Sequence, residues 1–281
     1  MYTFKPYPDI PAEQIQQRID NIILEGFRTL NSRNALQLAL NCIDLTTLEG
    51  ADHHEKVQQL CKKATGFSAL GDHIPNTAAV CVYPPFARTA KKALEGKNIN
   101  VAAVAGAFPS GQSPIHVKVA EVKWTVEEGA DEIDMVISRG TFLEGKYDVV
   151  ADEIRAIKQA CGPAHLKVIL ETGELGTAAN IRKASEIAIL AGGDFIKTST
   201  GKIQPAATEF AAVVMLDTIK EYYDATGIMI GFKPAGGISE PDQALRYLIL
   251  VDHILGEAWM SNKWLRLGAS RLADKVAELL K

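Results

Sequence analysis

Apolar positions along the chain follow two rhythms. In the first 35 or so residues, Ile15, Ile19, Ile22 and Ile23 recur at helical spacing, and Gly26 is expected to weaken that helix near its end. Further on, short apolar or β-branched runs alternate with helical stretches. The strand candidates are residues 41–45, 78–82, 100–105, 132–136, 166–170, 194–197, 228–233 and 265–268. Helical candidates follow them at 53–64, 85–94, 115–128, 147–160, 178–190, 208–223, 241–251 and 271–280. A strand followed by a helix, repeated eight times, predicts an α/β protein of the (β/α)8 TIM-barrel class. The expected organisation is a single TIM-barrel domain over 1–281, with an N-terminal helical extension (1–35) and the barrel (36–281). The alternative, a doubly wound open sheet, usually carries a Gly-rich turn after its first strand. Here that place is taken by Thr46-Thr47-Leu48-Glu49-Gly50.

Side chains alternate across a strand, so one set packs on the helices and the other fills the lumen. Ile43 and Leu45 look outward, which turns Asp44 inward. Ile133 and Met135 do the same for Asp134, and Ile196 does it for Lys197. On the fifth strand Val168 and Leu170 face out, leaving Lys167 and Glu171 with inward parity. Lys233 lies opposite Phe232, and Cys81 shares the inward parity of Ala79. A solvated strand end explains any one of these charges but not the set, since buried charges are costly unless paired or used. The C-terminal ends of barrel strands are where catalysis is expected.

Composition narrows the function classes. The chain has 281 residues, 47% hydrophobic and 23% charged, enough apolar material for a large core. Thirty basic and 34 acidic residues give a net charge of −4, which offers no electrostatic reason to bind nucleic acid or a membrane surface. No apolar run approaches the ~20 residues of a spanning helix. The first 11 residues contain three prolines and no apolar core, unlike a secretory signal. Four scattered cysteines, Cys42, Cys61, Cys81 and Cys161, form no C-x-x-C pair and fit reduced thiols in a cytoplasmic protein. Asp52-His53-His54-Glu55 reads as a solvated helix start rather than a metal site, because adjacent histidines on a helix diverge.

Two inward lysines suggest a chemistry. A lysine is a nucleophile only when neutral, and with a pKa near 10.4 only about 0.04% is neutral at pH 7. A second lysine about 6 Å away, at an effective dielectric of about 20, repels by about 2.8 kcal/mol, roughly two pKa units. Burial lowers the value further. Such a lysine condenses with a carbonyl to a Schiff base, an electron sink that lets a neighbouring bond break. An inward carboxylate such as Asp134 is placed to move protons through a bound water.

Phe195-Ile196-Lys197-Thr198-Ser199-Thr200-Gly201-Lys202 and Gly231-Phe232-Lys233-Pro234-Ala235-Gly236-Gly237 resemble the two lysine motifs of the deoxyribose-phosphate aldolase family. So do Ile43-Asp44-Leu45-Thr46-Thr47-Leu48, Val80-Cys81-Val82-Tyr83-Pro84, Glu132-Ile133-Asp134-Met135-Val136 and Leu170-Glu171-Thr172-Gly173-Glu174-Leu175, in the family's order. The resemblance implies a class I aldolase that uses no metal or other cofactor. Its small-molecule substrates would be 2-deoxy-D-ribose 5-phosphate, acetaldehyde and D-glyceraldehyde 3-phosphate, with a role in deoxyribose phosphate catabolism. Lys197 would form the Schiff base, Lys233 would lower its pKa and Asp134 would relay protons. Asp44 and Thr46 would meet the substrate's hydroxyl end, Lys167 would be a supporting charge, and Cys81 would lie near acetaldehyde.

A sugar phosphate needs an anion site, which glycine turns and helix N-termini provide. Gly236-Gly237 follow the seventh strand, and Gly268-Ala269-Ser270 follow the eighth, where Ser270 is expected to cap the last helix. The resemblance adds Gly201 and Lys202. Three departures from the family pattern stand out. Arg271 replaces a small hydroxyl residue, and is expected either to strengthen phosphate binding or to point to solvent. No tyrosine follows Tyr247 in this sequence, whereas some relatives carry a C-terminal tail ending in tyrosine; either this branch does without it or the tail lies beyond this sequence. Ala107 stands between Gly106 and Phe108-Pro109, which predicts a local loop change. Barrels of this kind often self-associate, which makes a homodimer a candidate assembly. Two other functions compete: a Schiff-base aldolase for unphosphorylated acceptors, and a silent sugar-phosphate-binding barrel.

Overall fold

The structure is a computed structural model describing residues 2–8 and 10–281. Eight short strands carry the chain around a barrel: β1 (Ile43–Thr46), β2 (Ala79–Val82), β3 (Asn100–Val104), β4 (Glu132–Val136), β5 (His165–Ile169), β6 (Phe195–Lys197), β7 (Gly231–Lys233) and β8 (Leu267–Ala269). All neighbouring pairs are parallel, in the order β7-β6-β5-β4-β3-β2-β1-β8. The ring closes between β7 and β8 through two isolated parallel bridges, Phe232 with Leu265 and Ala235 with Gly268. Twelve α-helices surround it: α1 (Ala12–Thr29), α2 (Ser32–Asn41), α3 (His54–Gly66), α4 (Ala87–Ala93), α5 (Ile115–Glu127), α6 (Arg139–Leu143), α7 (Tyr147–Cys161), α8 (Thr172–Leu175), α9 (Ala178–Leu190), α10 (Glu209–Thr226), α11 (Pro241–Leu255) and α12 (Leu272–Leu280).

Outward strand residues such as Ile43, Leu45, Val80, Ile133, Met135, Val168 and Ile196 are fully buried against the helices. Each large apolar side chain so buried contributes roughly 1.5–3 kcal/mol. A smaller apolar cluster of Leu48, Ala79, Cys81, Ala102 and Val104 lies apart from that layer, flanked by Tyr83 and Phe108. It lines one side of the lumen, on β2 and β3. Charge occupies the other side.

The helical prelude is two helices rather than one. Residues 32–41 form α2, with the Asn31 side chain accepting the N–H of Asn34 at 3.3 Å, so β1 starts two residues later than expected. Gly26 does not end α1, which continues to Thr29. A Cβ there would lie 2.2 Å from Ile249, so the glycine lets α1 pack closely on α11. Arg18 also ties α1 to α10 through Asp217 at 2.6 and 2.8 Å. The seventh strand is shorter than expected because Thr226 Oγ1 accepts the N–H of Ile228 at 3.2 Å, outside the ladder. His53 accepts the N–H of Lys56 as the N-cap of α3, the solvated start expected for that segment. No helix among the described residues is long and apolar enough to cross a membrane. All four cysteines are free and buried.

Candidate active site

Inside the barrel, Asp134 on β4 is a hub. Lys197 donates to its Oδ2 at 2.7 Å, Lys233 to the same oxygen at 2.8 Å, and Lys167 to Oδ1 at 2.9 Å. Lys233 also reaches Asp44 at 2.5 Å, and Lys167 reaches Glu132 at 2.5 Å. Arg266 bridges Asp44 and Glu132, each at 2.7 Å. Three carboxylates thus face four cationic groups, all buried. Both faces of the register follow from alternation: β4 and β5 align Asp134 with Lys167, and β6 and β7 align Lys197 with Lys233.

Glu171 is not a member of this cluster, contrary to its parity. It lies past the end of β5 with φ 57° and ψ 58°, a left-handed conformation that breaks the alternation. Its carboxylate instead accepts Thr200 Oγ1 at 2.5 Å and the Thr200 N–H at 3.2 Å. Sequence reasoning missed Glu132 and Arg266. The signal was present, since Glu132 shares the parity of Asp134 and Arg266 stands between the buried Leu265 and Leu267.

The four cations are not held alike. Burial depresses Lys197 most; Asp134 restores part of this and the neighbouring Lys233 charge lowers it again, so its pKa falls below the ordinary lysine value. Burial would lower Lys233 too, but Asp134 and Asp44 outweigh it and hold that lysine protonated. Lys167 is likewise raised, with Asp134 and Glu132 overcoming its burial. Burial would push Asp134 up, yet Lys167, Lys197 and Lys233 hold it well below the usual carboxylate range. With one cation in excess of the carboxylates, Lys197 is the one of the three lysines whose pKa is lowered.

Above the cluster a cleft of about 220 Å³ opens at the C-terminal ends of the strands. Lys197, Thr46, Gly201, Lys202, Gly236, Gly237, Gly268 and Ser270 line it, as do Glu49, Thr200 and Arg271. Asp44, Asp134, Lys167 and Lys233 lie beneath it, in the buried cluster. Cys81 belongs to the apolar side of the lumen, and burial pushes its thiol pKa up. Gly236 has φ 85°, and a Cβ there would lie 2.7 Å from Ala206 and 2.9 Å from Gly201. The β6 and β7 loops therefore approach too closely at Gly236 for a side chain there. Lys202 Nζ donates to the Leu48 carbonyl and lies 3.3 Å from Glu49. Ser270 does not cap α12. The helix begins one residue later than expected, so Arg271 takes the N-cap position without a side-chain bond. Ala107 sits at φ 64° in its loop, where Glu121 accepts the N–H groups of Gly106 and Ala107 at 2.7 and 2.8 Å.

The comparisons decide the family. Residues 38–249 match the profile described as DeoC/LacD family aldolase. The chain belongs to the DeoC/LacD family of aldolases. It is therefore a carbon–carbon lyase. It is 48% identical over 248 residues to the deoxyribose-phosphate aldolase of Homo sapiens, covering 85% of this chain and 78% of that protein. The Bos taurus deoxyribose-phosphate aldolase is 47% identical over the same shares. Among solved structures, the tetrameric deoxyribose phosphate aldolase of Aeropyrum pernix superposes with a TM-score of 0.70 at 25% identity, covering 92% of this chain and 95% of that one. As in TIM-barrel enzymes generally, the aldolase keeps its polar cleft at the C-terminal ends of the strands.

Proposed function

We propose that this aldolase cleaves 2-deoxy-D-ribose 5-phosphate reversibly to acetaldehyde and D-glyceraldehyde 3-phosphate through a Schiff base on Lys197. One observation carries the reading: of the seven charged residues in the lumen cluster, Lys197 alone lines the cleft. It is also the lysine whose pKa is lowered. The 45–48% identity to curated relatives of that activity supports the substrate.

Neutral Lys197 attacks C1 of the open-chain sugar, and loss of water leaves an iminium. A base takes the proton of the C3 hydroxyl, the C2–C3 bond breaks, and its electron pair enters the iminium to form an enamine. Glyceraldehyde 3-phosphate leaves. Protonation of the enamine at C2 and hydrolysis release acetaldehyde and the lysine. Asp134, bonded to Lys197 at 2.7 Å, is the proton carrier, acting through a water. Lys233 keeps Lys197 deprotonated, and Lys167 balances the carboxylates. Asp44 and Thr46 meet the hydroxyl end, with Thr46 Oγ1 oriented by the Asp44 carbonyl at 2.8 Å. Phosphate is held by Gly201, Lys202, Gly236, Gly237, Gly268 and Ser270, which converge on the cleft. The two-carbon product faces the apolar side of the lumen, near Cys81. The biological role that follows is deoxyribose phosphate catabolism in the cytoplasm.

The test is reductive trapping. Acetaldehyde and cyanoborohydride should leave one ethyl adduct, mapped by peptide mass spectrometry to Lys197. Adducts scattered over surface lysines, or none, would refute the mechanism.

A further inference from the structure

We propose that Glu171 is a positioning residue that clamps the β6 loop and thereby sets the phosphate end of the cleft. The proposal rests on the phosphorylated-substrate reading above. Glu171 is wholly buried, yet takes no part in the lumen cluster or in any proton transfer described. Both of its carboxylate oxygens serve one residue. Oε2 accepts Thr200 Oγ1 at 2.5 Å, and Oε1 accepts the Thr200 N–H at 3.2 Å. The bonds continue outward from there. Thr200 Oγ1 accepts the N–H of Lys202 at 3.1 Å, and Ser199 Oγ accepts that of Gly201 at 3.3 Å. Ser199 Oγ donates in turn to the Ala235 carbonyl at 2.5 Å, beside Gly236.

Glu171 is itself fixed from behind. Its left-handed backbone is costly for a residue with a side chain, and such costs persist where the surroundings over-determine the conformation. The Thr172 N–H donates to the Thr198 carbonyl at 2.9 Å, joining this turn to the β6 end. Arg139 lies 3.9 Å from the Glu171 carboxylate, pairs with Glu174, and donates to the Pro109 carbonyl at 2.9 Å. Loops after β3, β4, β5 and β6 therefore converge on one carboxylate. A buried anion next to an anion-binding cleft would otherwise oppose the ligand, so its retention here needs a positional explanation.

The clamp divides the β6 segment in two. Lys197 is held by the strand ladder and by Asp134, independently of Glu171. Thr200, Gly201 and Lys202 hang from Glu171. Removing the carboxylate should loosen the phosphate end and leave the amine in place. The experiment compares wild type, Glu171→Gln and Glu171→Ala on 2-deoxyribose 5-phosphate and on free 2-deoxyribose, alongside cyanoborohydride trapping of acetaldehyde. Glu171→Ala is expected to raise KM for the phosphate ester at least tenfold. It should leave kcat/KM for free deoxyribose and the trapping rate within about twofold. Glu171→Gln, which keeps one acceptor for the Thr200 N–H, should recover most of the loss.

Equal losses on both sugars, or an unchanged KM for the ester, would overturn the proposal. Should Glu171→Ala not fold, Thr200→Val, which deletes the hydroxyl half of the clamp, is expected to raise the ester KM alone. Wild type separates the two levels of the reading. If it does not prefer the ester, the phosphorylated-substrate reading fails and takes this proposal with it. If it prefers the ester and the variants keep that preference, only the clamp fails.

Discussion

Lys233→Met tests the electrostatics of the lumen most directly. Lys197 and Lys233 touch the same Asp134 oxygen at 2.7 and 2.8 Å. That geometry keeps their ammonium groups within about 5.5 Å of each other, where an effective dielectric of about 20 gives at least about 3 kcal/mol of repulsion. The repulsion is worth roughly two pKa units on Lys197. Deleting the Lys233 charge removes it, and Asp134 then holds the Lys197 proton more tightly. Three carboxylates would then face three cations, so the variant retains a balanced core. The assay is the rate of acetaldehyde trapping on Lys197 against pH. Wild type should rise through a pKa below the ordinary lysine value. In the variant that limb should move up by about two pH units, with trapping near pH 7 slowed about 100-fold. At pH values above both limbs the two rates should converge, because the amine is then neutral in both. An unshifted limb would refute the argument that Lys233 tunes Lys197.

Lys197→Leu should abolish both turnover and trapping, and near-normal rates in it would overturn the mechanism. Arg271→Ser should raise KM for the phosphate ester several-fold with little change in kcat, since Arg271, like Lys202, lines the cleft; an unchanged KM means that the guanidinium points to solvent. Gly236→Ala should destabilise the protein by about 1–3 kcal/mol and weaken inorganic phosphate binding, because φ 85° and the contact with Gly201 exclude a Cβ; thermal melts with and without phosphate read both effects. Asp44, Glu132 and Asp134 all titrate below their unfolded values, so their stabilisation is complete above about pH 5 and is lost as pH falls through the folded values. Urea midpoints should therefore fall steeply below pH 4, and a flat profile there would contradict these pairings.

The barrel was legible because each strand repeats the same alternation, and one misplaced strand would turn its apolar set into the lumen. Asp44, Asp134, Lys167, Lys197 and Lys233 were readable from that parity alone. It failed at Glu171, where a left-handed residue ends the strand, and a period of two carries no information about backbone that leaves it. It was under-applied at Glu132 and Arg266, which complete the charge balance. The α2 helix was hidden because its buried Ala35, Leu36, Ala39 and Leu40 merge with the start of the strand pattern. Gly201 and Lys202 came from family resemblance, since a loop-borne anion site depends on contacts between segments distant in sequence. The close approach of Gly26 to Ile249 depends on the same kind of contact.

The two bridges that close the barrel between β7 and β8 have a consequence for local opening. Among the described residues, three backbone bonds cross that seam: the N–H groups of Phe232, Arg266 and Gly268 donate to Trp264, Phe232 and Pro234 at 2.8, 3.0 and 2.9 Å. Gly236 and Gly237 lie just past one side of it, and Gly268 and Ser270 at the end of the other. On the proposed reading, a phosphate group held by both sides would act as a fastener across this seam. Hydrogen exchange at those three amides should then slow when ligand is added, while amides in the β4–β5 ladder stay as they were. On that reading, the barrel that shapes the site would be completed by the ligand it holds.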